Sequence, residues 1–302
     1  MTRRLLYRLL AIVTMLGMTT QAIPQFGGLG GIGGLIKGVK NAKNLSESFR
    51  NISEPEEIKI GGDLAGIILG VAPLIQDSAK QRYVNRLGRW LALHSDRPDL
   101  PWKFGIIETD DVNAFSMPGG YVLITRGMFE GMRSESELAG VLSHEISHVV
   151  RRDHIAALQQ SLRNSALTGF SDYVSGGGIV GSVVKTAIIN AGKDIFTRGL
   201  NKNDEFDADR MGVVVAARSG FSPFGLVGVL QTLSAAPDAK GNALMNRTHP
   251  LPIERIDRLD RAMGTGMDAL ALADVKVPSF EQPKIPEAPQ QTPVRKKVKR
   301  KT

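Results

Sequence analysis

Apolar residues in the stretch DSAKQRYVNRLGRWLALHS (77–95) recur loosely at helical intervals, through Val84, Leu87, Leu91 and Leu93, and predict a helix. Two short apolar runs follow, KFGIIET (103–109) and GYVLIT (120–125), and both are strand-like. Between them DDVNAFSMPGG is rich in turn residues and predicts a connection. A second helix is expected from Ser134, because Glu137 stands three residues later in a capping-box pattern and an apolar run follows directly. DEFDADRMGVVVAARSG (204–220) predicts another, ending at Gly220 with Pro223 beyond it. SGGGIVGSVVKTAIINAG (175–192) is apolar, but Lys185 interrupts it and it is short for a bilayer span. A flap and a buried helix are both open for it.

Outside these patterns the chain changes character. Arg3, Arg4 and Arg8 precede the apolar run LLAIVTMLGM (9–18), and Thr20-Gln21-Ala22 offers small residues where a signal peptidase reads. Residues 1–22 are therefore read as a secretory signal, with an uncleaved anchor as the alternative. Residues 23–59, which include GGLGGIGGLIKG (27–38), are read as a glycine-rich linker, and 60–275 as the folded domain. The last stretch, 276–302, is rich in proline, glutamine and charge, and predicts a disordered tail.

Charge changes the picture less than its total suggests. The formal charge is +8, but the three early arginines and six cations between Arg295 and Lys301 exceed it by one, leaving the body near −1. The basicity belongs to the ends, not to a groove, so no nucleic-acid partner is expected and at most a peripheral membrane contact. The chain has no cysteine, which excludes disulfides. A periplasmic, exported protein fits these features.

The candidate chemistry starts at SHEISHVVRRDH (143–154). His144 and His148, four apart on a helix, can turn both rings toward one ion. Glu145 lies beside the first, where it can act as general base on a metal-held water, which is the HExxH zinc-protease pattern. His154 lies ten residues after His144, about 15 Å along an uninterrupted helix, and predicts a helix-end or packing residue. A catalytic zinc takes three protein ligands and keeps one position for water. In NDEFDADR (203–210), Glu205 can be the third ligand, and Asp209, one turn on, can accept the free ring N–H of a ligating histidine. His249, in NRTHPLPIERIDRL, can stabilise an oxyanion or close the zinc as a fourth ligand. Arg255 can anchor an acid or add to oxyanion stabilisation.

HEISH, EFDAD and THPLPIERI, preceded by NAFSMPGGYVLITRGM, follow one another in an order that resembles the HExxH zinc metallopeptidases. That family includes the HtpX heat-shock protease, the CAAX prenyl protease and BepA-like periplasmic proteases. The resemblance runs from about residue 80 to about residue 260. It implies an α+β fold, mainly helical and of the zincin (gluzincin-like) type, with a small β-sheet whose edge strand binds substrate. It also implies one Zn2+ on His144, His148 and Glu205, with Glu145 as base. Asn113, Ala114 and Phe115, together with the strand from Tyr121, would form the edge on which a peptide lies. The family's THP histidine and following arginine fall on His249 and Arg255. The chain departs from the family at Asn201-Lys202, where Ser-Arg is common, and it lacks HtpX's transmembrane helices. The expected function is endoproteolysis of unfolded or misassembled envelope proteins. The alternative is a chaperone-like assembly factor with a structural or masked zinc.

Overall fold

The computed structural model describes residues 52–164, 178–236 and 241–266. The expected signal segment, the glycine-dense stretch 27–38 and the tail after 276 lie outside the described residues. Ten helices are described, α1 (Glu54–Val71), α2 (Ser78–Leu93), α3 (Arg126–Gly131), α4 (Glu135–Arg151), α5 (Asp153–Asn164), α6 (Gly178–Arg198), α7 (Lys202–Arg218), α8 (Gly225–Ala235), α9 (Ala243–Thr248) and α10 (Pro252–Met263). Strands β1 (Lys103–Ile107), β2 (Ala114–Met117) and β3 (Tyr121–Thr125) form one small mixed sheet in the order β1-β3-β2. β1 runs parallel to β3, and β2 antiparallel to it. The mainly helical α+β architecture with a small sheet agrees with the sequence reading.

Two features of the sheet differ from that reading. The turn-rich connection contains β2, a four-residue strand that returns to β3 through Pro118, Gly119 and Gly120, both glycines at positive φ. And the strand from Tyr121 is central, with a partner on each side, so it is not an edge. The edge beside the site is β2's.

Both faces of the sheet are covered, which is why its strands read as continuous apolar runs. Val122 and Ile124 of β3 enter one core with Leu87, Leu91, Leu142 and Ile146 of α2 and α4. Leu123, on the opposite face, enters a second core with Ile60 and Leu64 of α1, Leu158 of α5 and Ile188 of α6. α6 thus resolves the stretch 175–192 in favour of a packed helix over its described part, with Ile188 and Ala191 buried. No described helix is long and apolar enough to cross a membrane.

The folded body starts ahead of residue 60. Glu57 of α1 is fully buried, and its carboxylate takes Arg97 in a two-pronged pair at 2.8 and 3.1 Å. It also accepts from the Gly119 amide at 3.1 Å and pairs with Arg152 Nε at 3.0 Å. A buried carboxylate is tolerable only when paired in this way. The cluster joins α1, the β2–β3 turn and the residue that breaks the helix after α4.

α4 is the central helix and packs against α2, α7, α8 and β2. Ser134 caps it, accepting from the Glu137 amide at 3.2 Å. The reciprocal half of the capping box is not made, because the Glu137 carboxylate takes the Arg133 amide at 2.7 Å instead. α7 crosses α4 closely at Gly212, where an added Cβ would stand 2.9 Å from the His144 backbone nitrogen. That close crossing lets carboxylates on α7 reach the histidines of α4.

Candidate metal centre and active site

The rings of His144 and His148 project from one face of α4 with their Nε2 atoms 3.1 Å apart. Glu205, in the first turn of α7, faces both: its Oε2 is 3.6 Å from His144 Nε2 and its Oε1 is 3.6 Å from His148 Nε2. All three side chains are buried. Their donor atoms lie close enough together to hold a single cation.

The outer hydrogen bonds decide which nitrogens are free. His144 Nδ1 bonds Asp209 Oδ1 at 2.9 Å, and His148 Nδ1 bonds Asp153 Oδ2 at 2.9 Å. A carboxylate only accepts, so each ring donates from Nδ1 and leaves Nε2 facing Glu205 as the atom available to a metal. Glu205 Oε2 is buried with no hydrogen-bond partner. Two Nε2 atoms and an orphaned carboxylate oxygen converge on one point. That donor set, nitrogen and oxygen around a small centre, fits a zinc ion.

The electrostatics agree. Burial raises the Glu205 carboxyl, but the neighbouring His249, His144 and His148 outweigh it and hold it well below the usual range. Burial and the Arg255 charge lower His144, yet the bond to Asp209 and the nearby Glu205 carboxylate prevail and lift it to about 9. The centre therefore attracts positive charge, and binding a metal there displaces a proton. Asp209 is raised by burial and lowered more strongly by Arg255, so it stays ionised. Arg255 Nε and Nη2 grip its two oxygens at 2.9 and 2.5 Å. The acid that Arg255 meets is Asp209. Arg255 is buried behind His144 and is not among the residues lining the cavity.

Asp153 was not singled out from the sequence, nor was the proximity of His154. Both follow from the break at Arg152, which adopts the left-handed region at φ 61° and turns the chain back on itself. His154 is thereby returned toward the site, its ring 5.8 Å from that of His148, and the helix-end reading is corrected. Burial drives it down to about 3, so it is neutral and no partner for a helix dipole. The signal that could have revealed Asp153 is an acid close behind a ligating histidine, provided the helix is allowed to end between them.

His249 caps α9 with an extended backbone, as the following Pro250 requires. Its Nε2 stands 3.6 Å from Glu205 Oε2, and its ring centre is 5.9 Å from that of His144. Thr248 Oγ1 is 3.0 Å from the Leu244 carbonyl and 2.9 Å from His249 Nδ1. A hydroxyl has one hydrogen. If the carbonyl takes it, Nδ1–H donates to the hydroxyl oxygen and Nε2 keeps a lone pair facing the centre. Gly199, at φ +83°, makes room for this arrangement: an added Cβ would lie 1.8 Å from the Thr248 carbonyl oxygen.

A solvent-open cleft lies beside the candidate ligands, and two of them, His148 and Glu205, line it. Glu145, His148, Glu205 and His249 line one side, and Asn113, Ala114, Phe115 and Ser116 line the other. The candidate substrate residues of β2 and its approach are thus brought to the site. Neither amide atom of Asn113 has a protein partner, although the residue is buried. Tyr121 is not brought there; it lies on β3, with its hydroxyl 3.4 Å from Lys103 Nζ.

A helix carrying HExxH, a second helix supplying a carboxylate, and a short sheet whose edge strand flanks the cavity define the HExxH class of metallopeptidases. The chain belongs to one family within it, peptidase family M48, whose pattern matches residues 78–263. It is 32% identical over 225 residues to the Beta-barrel assembly-enhancing protease of Escherichia coli (strain K12), covering 70% of this chain and 45% of that protein. It is 26% identical over 191 residues to Metalloprotease LoiP of the same strain, covering 63% and 74% respectively. It is 26% identical over 181 residues to the Mitochondrial metalloendopeptidase OMA1 of Schizosaccharomyces pombe, covering 59% and 51%. The chain thus spans about half the length of the first of these relatives.

Proposed function

We propose that this chain is an exported zinc metalloendopeptidase acting on unfolded or misassembled proteins of the bacterial envelope. The observation that carries the reading is the convergence of His144, His148 and Glu205, each histidine backed by its own carboxylate, beside a cavity that Glu145 lines. The similarity to the Beta-barrel assembly-enhancing protease supports an envelope substrate, and the basic-then-apolar residues 3–18 support export.

His144, His148 and Glu205 would hold the zinc, which would supply Lewis acidity to acidify water and polarise a carbonyl. Asp209 and Asp153 fix both imidazoles with Nδ1–H outward, so Nε2 remains the ligating atom. An extended peptide adds along the edge of β2, with Asn113 at its approach offering unpaired amide groups to the peptide backbone. Glu145 takes the proton of the attacking water and returns it to the leaving nitrogen. Purified protein should carry one zinc per chain, and a chelator should stop casein digestion until zinc is restored. Glu205→Ala should lose the metal. Digestion indifferent to chelation, or full zinc in that variant, would overturn the reading.

His249 gives a second reading specific support. Its Nε2 stands 3.6 Å from Glu205 Oε2, within reach of a fourth-ligand role that would make a masked centre in a chaperone-like factor. The sign of one substitution separates the two readings. His249→Ala should raise casein digestion if the residue masks the metal, and lower it if the residue stabilises an oxyanion.

A further inference from the structure

His154 has no part in the reaction above, yet it is buried beside it. Its ring stands 5.8 Å from that of His148 and 6.3 Å from that of Phe196, centre to centre. Phe196 in turn meets Phe115 of β2 edge-on at 6.0 Å. With Ile195 and Leu200 these rings line the part of the cavity between β2 and the end of α6. Its walls are apolar. His154 is among the lining residues, and its Nδ1 is buried with no hydrogen-bond partner. A buried ring nitrogen without a partner is costly to keep, and a carbon-only side chain would pack against Phe196 without that cost.

We propose that the part of the cavity bounded by Phe115, Phe196 and His154 is a subsite for a substrate side chain with an apolar body and a neutral hydrogen-bonding tip, with His154 as its specificity-determining residue. The proposal rests on the peptidase reading and names the class of residue it prefers. Aromatic walls favour a flat or extended apolar body. An imidazole that is free to choose its tautomer can meet a hydroxyl or an amide, both of which donate and accept. A carboxylate tip finds no counter-charge, since neither lysine nor arginine is among the residues lining the cavity. A cationic tip would have to shed its water among aromatic rings beside a centre built for a divalent cation. Tyrosine and glutamine meet the requirement. Phenylalanine and leucine fill the same space but leave Nδ1 unpaired.

The test uses peptides identical except for Tyr against Phe, or Gln against Leu, at each central position in turn. Cleavage (kcat/KM) is measured on the zinc-loaded protein, and affinity (Kd) on its Glu145→Gln variant. The expected result is a preference of roughly tenfold for Tyr over Phe and Gln over Leu at one position, in both measurements. His154→Phe should reduce it to within about twofold and His154→Gln should keep it, with zinc content unchanged. His154→Leu serves as the apolar variant if the phenylalanine is not accommodated. Equal discrimination in wild type and the apolar variants, no discrimination in wild type, or no binding at all would overturn the proposal. Selective binding without cleavage would overturn the peptidase reading and leave the subsite standing.

Discussion

Glu145→Gln is expected to reduce peptide hydrolysis by roughly 10²- to 10⁴-fold while the protein keeps its zinc and its fold. The amide has nearly the same shape, so the neighbours in α4 are undisturbed. What it loses is the capacity to accept a proton. Glu145 is buried and lines the cavity; it stands outside the His144, His148 and Glu205 group, although with His144 and His249 it makes a second group whose donor atoms could hold a cation. The substitution therefore separates catalysis from metal binding, which His144→Ala would remove together. Metal analysis and casein digestion on the same preparation check it. Undiminished digestion would remove Glu145 from the mechanism; loss of zinc would make it a ligand instead.

What the chain's patterns disclosed and what they concealed divide along a physical line. Local spacing placed His144, Glu145 and His148 on one helix face, and Glu205 and Asp209 on another, because a helix repeats every 3.6 residues whatever surrounds it. The cap at Ser134 and the apolar runs of β1 and β3 were legible for the same reason. β2 was not, since a four-residue strand beside Pro118-Gly119-Gly120 carries more turn signal than strand signal. Nor was the central place of β3, because strand order is set by tertiary packing. The break at Arg152 is the costliest omission. A left-handed arginine carries no mark in the sequence, since glycine or asparagine is the usual choice there. Here the conformation is backed from outside, by the ion pair with Glu57 some hundred residues upstream and a bond from Nη2 to the Ile52 carbonyl. Asp153 and His154 reach the site only through that long-range contact, so spacing alone put His154 far away.

Arg255→Ala is expected to lower the melting temperature by roughly 10 °C, through a loss of about 3–5 kcal/mol. The reason is the charge it leaves behind. Asp209 is buried and its two oxygens are held by the guanidinium, one of them shared with His144 Nδ1. Without Arg255 that carboxylate keeps His144 Nδ1–H and loses the guanidinium that held both its oxygens. The double variant Asp209→Leu with Arg255→Met removes both charges and should recover much of the melting temperature, because an apolar pair of similar volume often replaces a buried ion pair at little cost. It should not recover metal binding. His144 then lacks the acceptor that orients its ring and holds its tautomer, and zinc affinity should fall by roughly 10- to 100-fold. The melting temperature should thus recover in the double variant while zinc affinity does not. Parallel recovery of both would mean that Asp209 serves the fold and leaves His144 to other constraints; an unchanged melting temperature in Arg255→Ala would mean that water or a cation already compensates the buried carboxylate.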